Sequence, residues 1–596
     1  MPTASYISGI VRALGIVRSL SSHATERPVL TVSKAQVLRV CWFSVLLAFT
    51  TVPKTWAQDD ASSNTPGVTS PAASSNKSAA DKSPNPSAAL PAPPPAPAAV
   101  LPAAQALQLF RAEKYAAASE QYNAILLKDP KDAAANAGLA RVYLAQRKIP
   151  EALAAAAKAI EAVPTSPAGH TALGDIYFRQ AKIPEAEREY LTPIRAGIPD
   201  ARAYLGLANI AWMTSSSKRA KRMIDKAHDL DPADPDIFQA WVQTIPLPDR
   251  SKQLKDRLAS NDPLGDDTQK FFKFATDFYN AEAQQSNTAC HLVNKPKSIQ
   301  LPLERLMIDP TRLRGYGLIV KVDGTSSKLL LDTGASGILI SSKIAQKAGA
   351  RRITDQSVGG IGDKGVAGGY VAHVDSIKIG DLEFQGCFVD VVDKKRSLGE
   401  DGLIGADVFQ SFLVDVDFPN EKLGLSELPT PPGETVVEST PESSLSTQRV
   451  LHDRYVAPEM KDYEKIYRSG HDLLISTYVN KMVPRLFLID TGAYDNLLST
   501  EVAREYTKVH TDEFNVIEGL SGKVKNVRSA DKVRIAFAHF MQDNEDVTTF
   551  DLTGVSDSAG TEVSGFLGFS LLWMLDMKID YRDGLVNFSY DPAHLR

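Results

Sequence analysis

Two stretches of this chain run through one order of strands and turns around the same four residues. The apolar strand Leu329–Leu331 delivers Asp332-Thr333-Gly334-Ala335, and Arg485–Ile489 delivers Asp490-Thr491-Gly492-Ala493. Gly402-Leu403-Ile404-Gly405 and Gly565-Phe566-Leu567-Gly568 follow, the last glycine lying 73 residues after the first Asp in one copy and 78 in the other. Ahead of the first motif, Tyr316–Asp323, a turn at Gly324 and Lys328–Leu331 read as a hairpin; Leu473–Tyr478 holds that place in the second copy. Val371–Ile379, Phe384–Val392 and Val533–Phe537 read as further strands. Each copy closes on a hairpin: Val414–Phe418 with Lys422–Leu425, and Met577–Tyr581 with Leu585–Phe588. A Pro/Ser/Thr/Glu-rich break, residues 429–447, separates the copies. Three residues recur by chance, but a whole order of elements at matched spacing requires a duplicated β module.

A different period governs the preceding region. Leu139-Ala140, Leu173-Gly174 and Leu207-Ala208 lie 34 apart, as do Ala118, Ala152, Ala186 and Ala220, and Tyr143 and Tyr177. Pro130, Pro164 and Pro232 fall at the same or double spacing, with Pro199 displaced by one. Small residues where paired helices touch, with Pro at the turn, resemble tetratricopeptide repeats over about four units, residues 103–240. Such an array either holds a protein partner or substrate peptide in its concave face or serves as architecture and self-association surface. Pro246 and Pro248 mark its exit, and the proline-free stretch Lys270–Ala283 predicts one more helix.

The duplicated module resembles the aspartic peptidases, specifically the retroviral-type subunit, here fused in tandem as in pepsin-like enzymes with Asp332 and Asp490 158 residues apart. The resemblance covers about residues 315–426 and 470–592. It implies an all-β bilobal fold behind an all-α solenoid, and a water-mediated hydrolysis of peptide bonds by the Asp332/Asp490 pair. Two carboxyls held together share one proton, an effect for which aspartic proteases are the standard example. The resemblance gives Thr333 and Thr491 the task of bracing the loops across the interface. Gly334 and Gly492 allow close backbone approach, and Gly405 and Gly568 let a following loop cross the active-site loop. Ala335 and Ala493 replace the hydroxyl residue usual in pepsin-like enzymes, so fewer donors face the carboxylates and the expected working pH is mildly acidic to neutral. Tyr494-Asp495, against Ser336-Gly337 in the first copy, makes the lobes unequal. The first copy also carries Ser357–Tyr370, whose six glycines include Gly359, Gly360, Gly362 and Gly365. In the resembled fold this is a flap over substrate; the second copy's Glu518–Lys525 holds only Gly519 and Gly522, so one principal flap is expected.

Other chemistry is excluded by context. Gly360-Ile361-Gly362-Asp363-Lys364-Gly365 fits G-x-G-x-x-G, but no helix follows it. The histidines, His373 among them, form no metal-ligand spacing, so no metal and no cofactor are expected. Cys290 and Cys387 either pair as a disulfide or are separately buried thiols. A net charge of -5 gives no reason to expect nucleic acid.

The N-terminus reads as an address: a basic flank, the apolar run Cys41–Phe49, and Thr55-Trp56-Ala57 as a small-x-small exit. That core is shorter than the ~20 residues of a membrane span, so export to the periplasm or outside the cell, without a stable span after cleavage, is expected. The resulting organisation is a signal region at 1–57, a Pro/Ala/Ser-rich tether at 58–100, helical repeats at 101–245, a connector at 246–314, lobe 1 at 315–428, a linker at 429–469 and lobe 2 at 470–596. The leading expectation is an aspartic endopeptidase acting on protein or peptide substrate. The alternative is a weak or inactive peptide-binding scaffold, against which both intact Asp-Thr-Gly motifs argue.

Overall fold

The computed structural model describes residues 102–284, 290–362, 367–392, 401–432, 451–481, 483–511 and 517–591. The signal region, the tether, Gly365 and residues 433–447 of the inter-lobe break lie outside the described residues.

Helix pairs open the described chain: Pro102–Arg111 with Tyr115–Leu126, Ala133–Ala145 with Ile149–Ala162, Pro167–Arg179 with Ile183–Arg195, and Ala201–Met213 with Ser217–Leu230. The 34-residue period has local causes. Asp132, Ser166 and Asp200 each cap the helix that follows, accepting from the N–H three residues on, and Asp234 does the same for Pro235–Val242. Ala118, Ala152, Ala186 and Ala220 are fully buried where paired helices touch. Between the helices of each pair, Glu113, Arg147, Ala181 and Ser215 all take a left-handed backbone, with φ of 59°, 60°, 58° and 53°. Three more helices follow: Pro235–Val242, Leu247–Ala259 and Asp266–Gln284. Pro248 sits in the first turn of Leu247–Ala259, where a missing N–H costs nothing.

The array curls back on itself. Arg111 meets Asp231 and Asp234, and Thr268 Oγ1 donates to Glu113 Oε1 at 2.8 Å. Inside the curl, Tyr190 donates to Asp175 at 2.8 Å and Arg202 pairs with Asp234 at 3.2 Å.

The β-rich region forms two lobes of one plan. In lobe 1, Gly402–Gly405 pairs parallel with the end of Thr325–Asp332, setting Gly405 opposite Asp332, and antiparallel with Ile338–Ser341. In lobe 2, Gly565–Leu567 pairs parallel with Arg485–Ile489 and antiparallel with Leu497–Leu498. The closing hairpins join in one sheet: Phe412–Asp417 lies antiparallel to Asp576–Asp580, so that Val414 faces Ile579. Ser298–Pro302, ahead of lobe 1, extends that sheet, and Arg312–Val322 begins before the expected start at 315. Cys290 and Cys387 form a disulfide, beside the pairing of His291–Leu292 with Leu382–Val392.

Helices and lobes share contacts. Arg147 and Arg179 both meet Asp557 of lobe 2, and Glu562 N–H donates to Arg179 O at 3.0 Å. Ser217 Oγ donates to His452 O at 2.9 Å. The turn between paired helices is thus the edge that docks.

Candidate active site

Each aspartate ends an apolar strand buried on both sides. Leu329–Leu331 and Leu486–Ile489 are all buried, and burial on both faces explains why they read as runs rather than alternations. The strand ends bring the two Asp-Thr-Gly loops face to face. Each carboxyl lies against the glycine of the opposite loop, Asp490 against Gly334 and Asp332 against Gly492, and the two titrate as a coupled pair. Thr333 N–H donates to Thr491 Oγ1 and Thr491 N–H to Thr333 Oγ1, both at 3.0 Å.

The glycines are required by space. A β-carbon on Gly334 would lie 2.7 Å from Asp490 Cγ, and one on Gly492 would collide with the Asp332 carboxyl. Gly405 sits against Ala335 O and Asp407, and Gly568 against the Asp495 main chain. The later motif therefore crosses beneath the aspartate loop in both lobes. Asp407 then fixes the lobe 1 loop, accepting from Gly337 N–H at 2.9 Å and from Ser336 Oγ at 3.1 Å. In lobe 2 that task falls to Asn496, whose Oδ1 accepts from Gly568 N–H at 2.9 Å.

Burial, then the neighbouring Asp490 charge, pushes the Asp332 carboxyl well above the usual range; Gly334 N–H and Arg314 oppose this. Burial also raises Asp490, against the opposing pull of Ala493 N–H, the Asp332 hydrogen bond, Gly492 N–H and Arg314. A dyad raised in this way keeps a proton to higher pH than an ordinary carboxyl does. Tyr494 and Asp495 are both exposed; partial desolvation raises the Asp495 carboxyl, opposed by a hydrogen bond from Ser570.

The cover differs from the expected single flap. Arg351–Val358 rises to Gly359, Gly360, Ile361 and Gly362, and Ala367–Ile379 returns. A second, short hairpin from lobe 2, Glu518–Gly519 with Gly522–Lys523, meets it tip to tip. Ser521 N–H donates to Ile361 O at 3.0 Å. Leu520 packs on Leu339, Val358, Val392 and Leu403 of lobe 1, while Ile361 packs into the lobe 2 cluster that includes Leu497, Phe550 and Phe566. Glycine content distinguishes the two segments in sequence but not in structure. A hairpin with a two-residue turn needs few glycines, so Glu518–Lys523 forms one with only Gly519 and Gly522. Sequence reasoning also missed Arg314 and His471, which reach Gly492 O and Gly334 O at 3.0 and 3.1 Å. His373 is buried and packs edge-on against Phe388.

This fold and this pair of aspartates define an aspartyl-protease-type module carried behind a tetratricopeptide array. Comparison with known proteins agrees. Residues 318–408 match the family described as aspartyl protease, and residues 109–176 and 171–235 match families described as tetratricopeptide repeat. DNA damage-inducible protein 1 of Kluyveromyces lactis is 29% identical over 115 residues, 19% of this chain and 26% of that protein. The protein of the same name from Neurospora crassa is 33% identical over 109 residues, 18% of this chain and 24% of that one. The chain thus spans about a quarter of the length of these relatives. Among solved structures, the aspartic proteinase from Irpex lacteus aligns with 50% of this chain and 98% of its own, at 12% identity and a TM-score of 0.30.

Proposed function

We propose that the protein is an aspartic endopeptidase, with Asp332 and Asp490 as its catalytic pair. The observation that carries this reading is the facing of the two Asp-Thr-Gly loops, each carboxyl against the other loop's glycine and the loops joined by the reciprocal Thr333–Thr491 hydrogen bonds. In the reaction, water oxygen bonds to the scissile carbonyl carbon while one water proton passes to the ionised carboxylate. The protonated partner gives its proton to the carbonyl oxygen, forming a neutral gem-diol. Collapse breaks the C–N bond: the amine nitrogen takes the proton from the first carboxyl, and a diol hydroxyl returns one to the second. The dyad regains its starting state, and the paired hairpins are proposed to part and close over an extended peptide. The raised carboxyls support a mildly acidic to neutral working pH.

Export is part of the proposal. It rests on the N-terminal pattern and is supported by the Cys290–Cys387 disulfide, which an oxidising compartment favours. The array is proposed to carry protein contacts, beginning with lobe 2 of its own chain.

Turnover of a diverse peptide library by the full chain tests the activity. Asp332→Ala and Asp490→Ala should each abolish cleavage; cleavage surviving either change rejects the dyad.

A further inference from the structure

One pair of equivalent positions beside the dyad holds an arginine in lobe 1 and a histidine in lobe 2. Gly317 faces Leu330 in lobe 1, and Leu474 faces Leu488 in lobe 2. Leu330 and Leu488 each lie two residues before the aspartate, so Arg314 and His471, three residues before Gly317 and Leu474, occupy matching places. Both side chains cross to the opposite lobe. Arg314 Nη1 donates to Gly492 O at 3.0 Å. His471 Nε2 stands 3.1 Å from Gly334 O, and also 3.1 Å from Asp472 Oδ1, so this one ring nitrogen faces two acceptors.

The carbonyls they reach belong to the Gly492–Ala493 and Gly334–Ala335 peptides. In a trans peptide the N–H points opposite to the carbonyl. Drawing Gly492 O toward a guanidinium therefore turns Ala493 N–H the other way, and it donates to Asp490 Oδ1 at 2.9 Å. Gly492 N–H donates to the same oxygen at 2.8 Å. Lobe 1 lacks the equivalent bond: Ala335 N–H reaches the main-chain oxygen of Asp332, at 3.4 Å. Among the described residues the Asp332 carboxyl accepts one backbone N–H, from Gly334 at 2.8 Å. Each N–H donated to a carboxylate favours its charged form.

We propose that Arg314 and His471 are unequal positioning residues that assign the dyad's single proton: Arg314, through the Gly492–Ala493 peptide, keeps Asp490 ionised as the base, and Asp332 holds the proton as the acid. The roles of the two aspartates in peptide hydrolysis rest on the peptidase reading above; the location of the proton does not. Burial and the Asp490 charge act in the same direction on Asp332. The other titratable and charged groups near the pair are Asp472, Asp407, Arg468 and Tyr581.

The test is carboxyl-¹³C labelling of aspartate in the full chain, with resonances assigned through Asp332→Asn and Asp490→Asn. Between the two macroscopic titrations of the dyad, Asp332 should resonate as an acid and Asp490 as a carboxylate. The exchange Arg314→His with His471→Arg should reverse that order. His471→Arg alone gives both loops a guanidinium, so the two resonances should converge and the acidic limb of kcat/KM should move down by about 1 pH unit. A residue that merely braces the loop would alter stability and leave order and limb in place. An unchanged order in both variants, or a protonated Asp490 in the wild type, overturns the assignment. A wild-type chain showing the expected order while cleaving no peptide refutes the peptidase reading and leaves the assignment standing.

Discussion

Thr333 and Thr491 are locked to each other in both directions. Each hydroxyl accepts the other's main-chain N–H at 3.0 Å and donates to a carbonyl of the opposite lobe: Thr333 to Ile489 O at 2.7 Å, Thr491 to Leu331 O at 2.9 Å. Both residues are 1% exposed, so no water can replace a lost partner. Because the carbonyl acceptors lie just ahead of the aspartates, the same four bonds that join the lobes also fix the distance between the carboxyls.

Thr→Val at either position keeps the shape and removes the hydroxyl. Two hydrogen bonds vanish and a buried N–H and C=O are left unsatisfied, which costs about 2–5 kcal/mol. Thr→Ser keeps all four bonds and gives up one methyl, about 1 kcal/mol. Urea denaturation should therefore rank wild type above Ser and Ser well above Val, with turnover falling most sharply in Val. Equal losses in Ser and Val would show that packing, and not the hydroxyl, holds the loops.

Asp390 of lobe 1 carries a separate pH dependence. Burial raises its carboxyl to about 7, partly offset by a hydrogen bond from Gln356. In the unfolded chain the same group ionises near 4. The folded state thus binds more protons between those values, and the stability this group contributes is full below about 4 and is lost as pH rises through about 7. Asp390→Asn removes the cost of ionising. It should raise stability at pH 8 by on the order of 2 kcal/mol and change little at pH 4. Matched denaturation curves at the two pH values decide this; an equal effect at both would assign the change to packing.

Much of this architecture was written in residue types. The strands before Asp332 and Asp490 could be read because strands buried on both faces are apolar runs, and the array because Ala and Pro return every 34 residues. What escaped were features in which geometry repeats and residue type does not. The left-handed turn positions share the 34-residue period, but Glu113, Arg147, Ala181 and Ser215 have no chemistry in common. The match between Arg314 and His471 is set by strand register, and no local pattern links an arginine to a histidine. Closure of the array through Arg111 and Asp231 spans 120 residues and depends on the accumulated curl.

The meeting of the two hairpins over the site yields a further expectation. Gly362 has a φ of +137°, and a β-carbon there would collide with the main chain of Ser521. Gly362→Ala should part the tips and lower kcat/KM about tenfold or more, with the denaturation midpoint nearly unchanged, because cover loops contribute little to global stability. Gly368, in the same hairpin, has open space around the corresponding position, so Gly368→Ala is the control and should retain activity. Equal activity in the two variants would remove the tip contact from the catalytic cycle.

Docking of the array on lobe 2 makes the last expectation. Arg147 and Arg179 converge on Asp557, at the end of the helix Thr553–Ala559, and Arg179 also donates to Ser556 O at 3.0 Å. Thr561 Oγ1 donates to Phe178 O at 2.6 Å. Apolar packing runs continuously beneath these bonds, from Tyr190, Leu207 and Ile210 of the array to Leu474, Leu486 and Phe566 of lobe 2. Asp557→Ala leaves two partly covered guanidinium groups without their shared carboxylate and should cost about 1–3 kcal/mol. With one continuous core, wild-type array and lobes should unfold in a single transition; Asp557→Ala should split it or release the array to limited proteolysis at lower denaturant. Residues 250–596 expressed alone would bare the lobe 2 side of this core and should aggregate or lose most activity. A soluble, fully active 250–596 fragment would show that the array is an independent appendage, and that the contacts at Asp557 add nothing to the working enzyme.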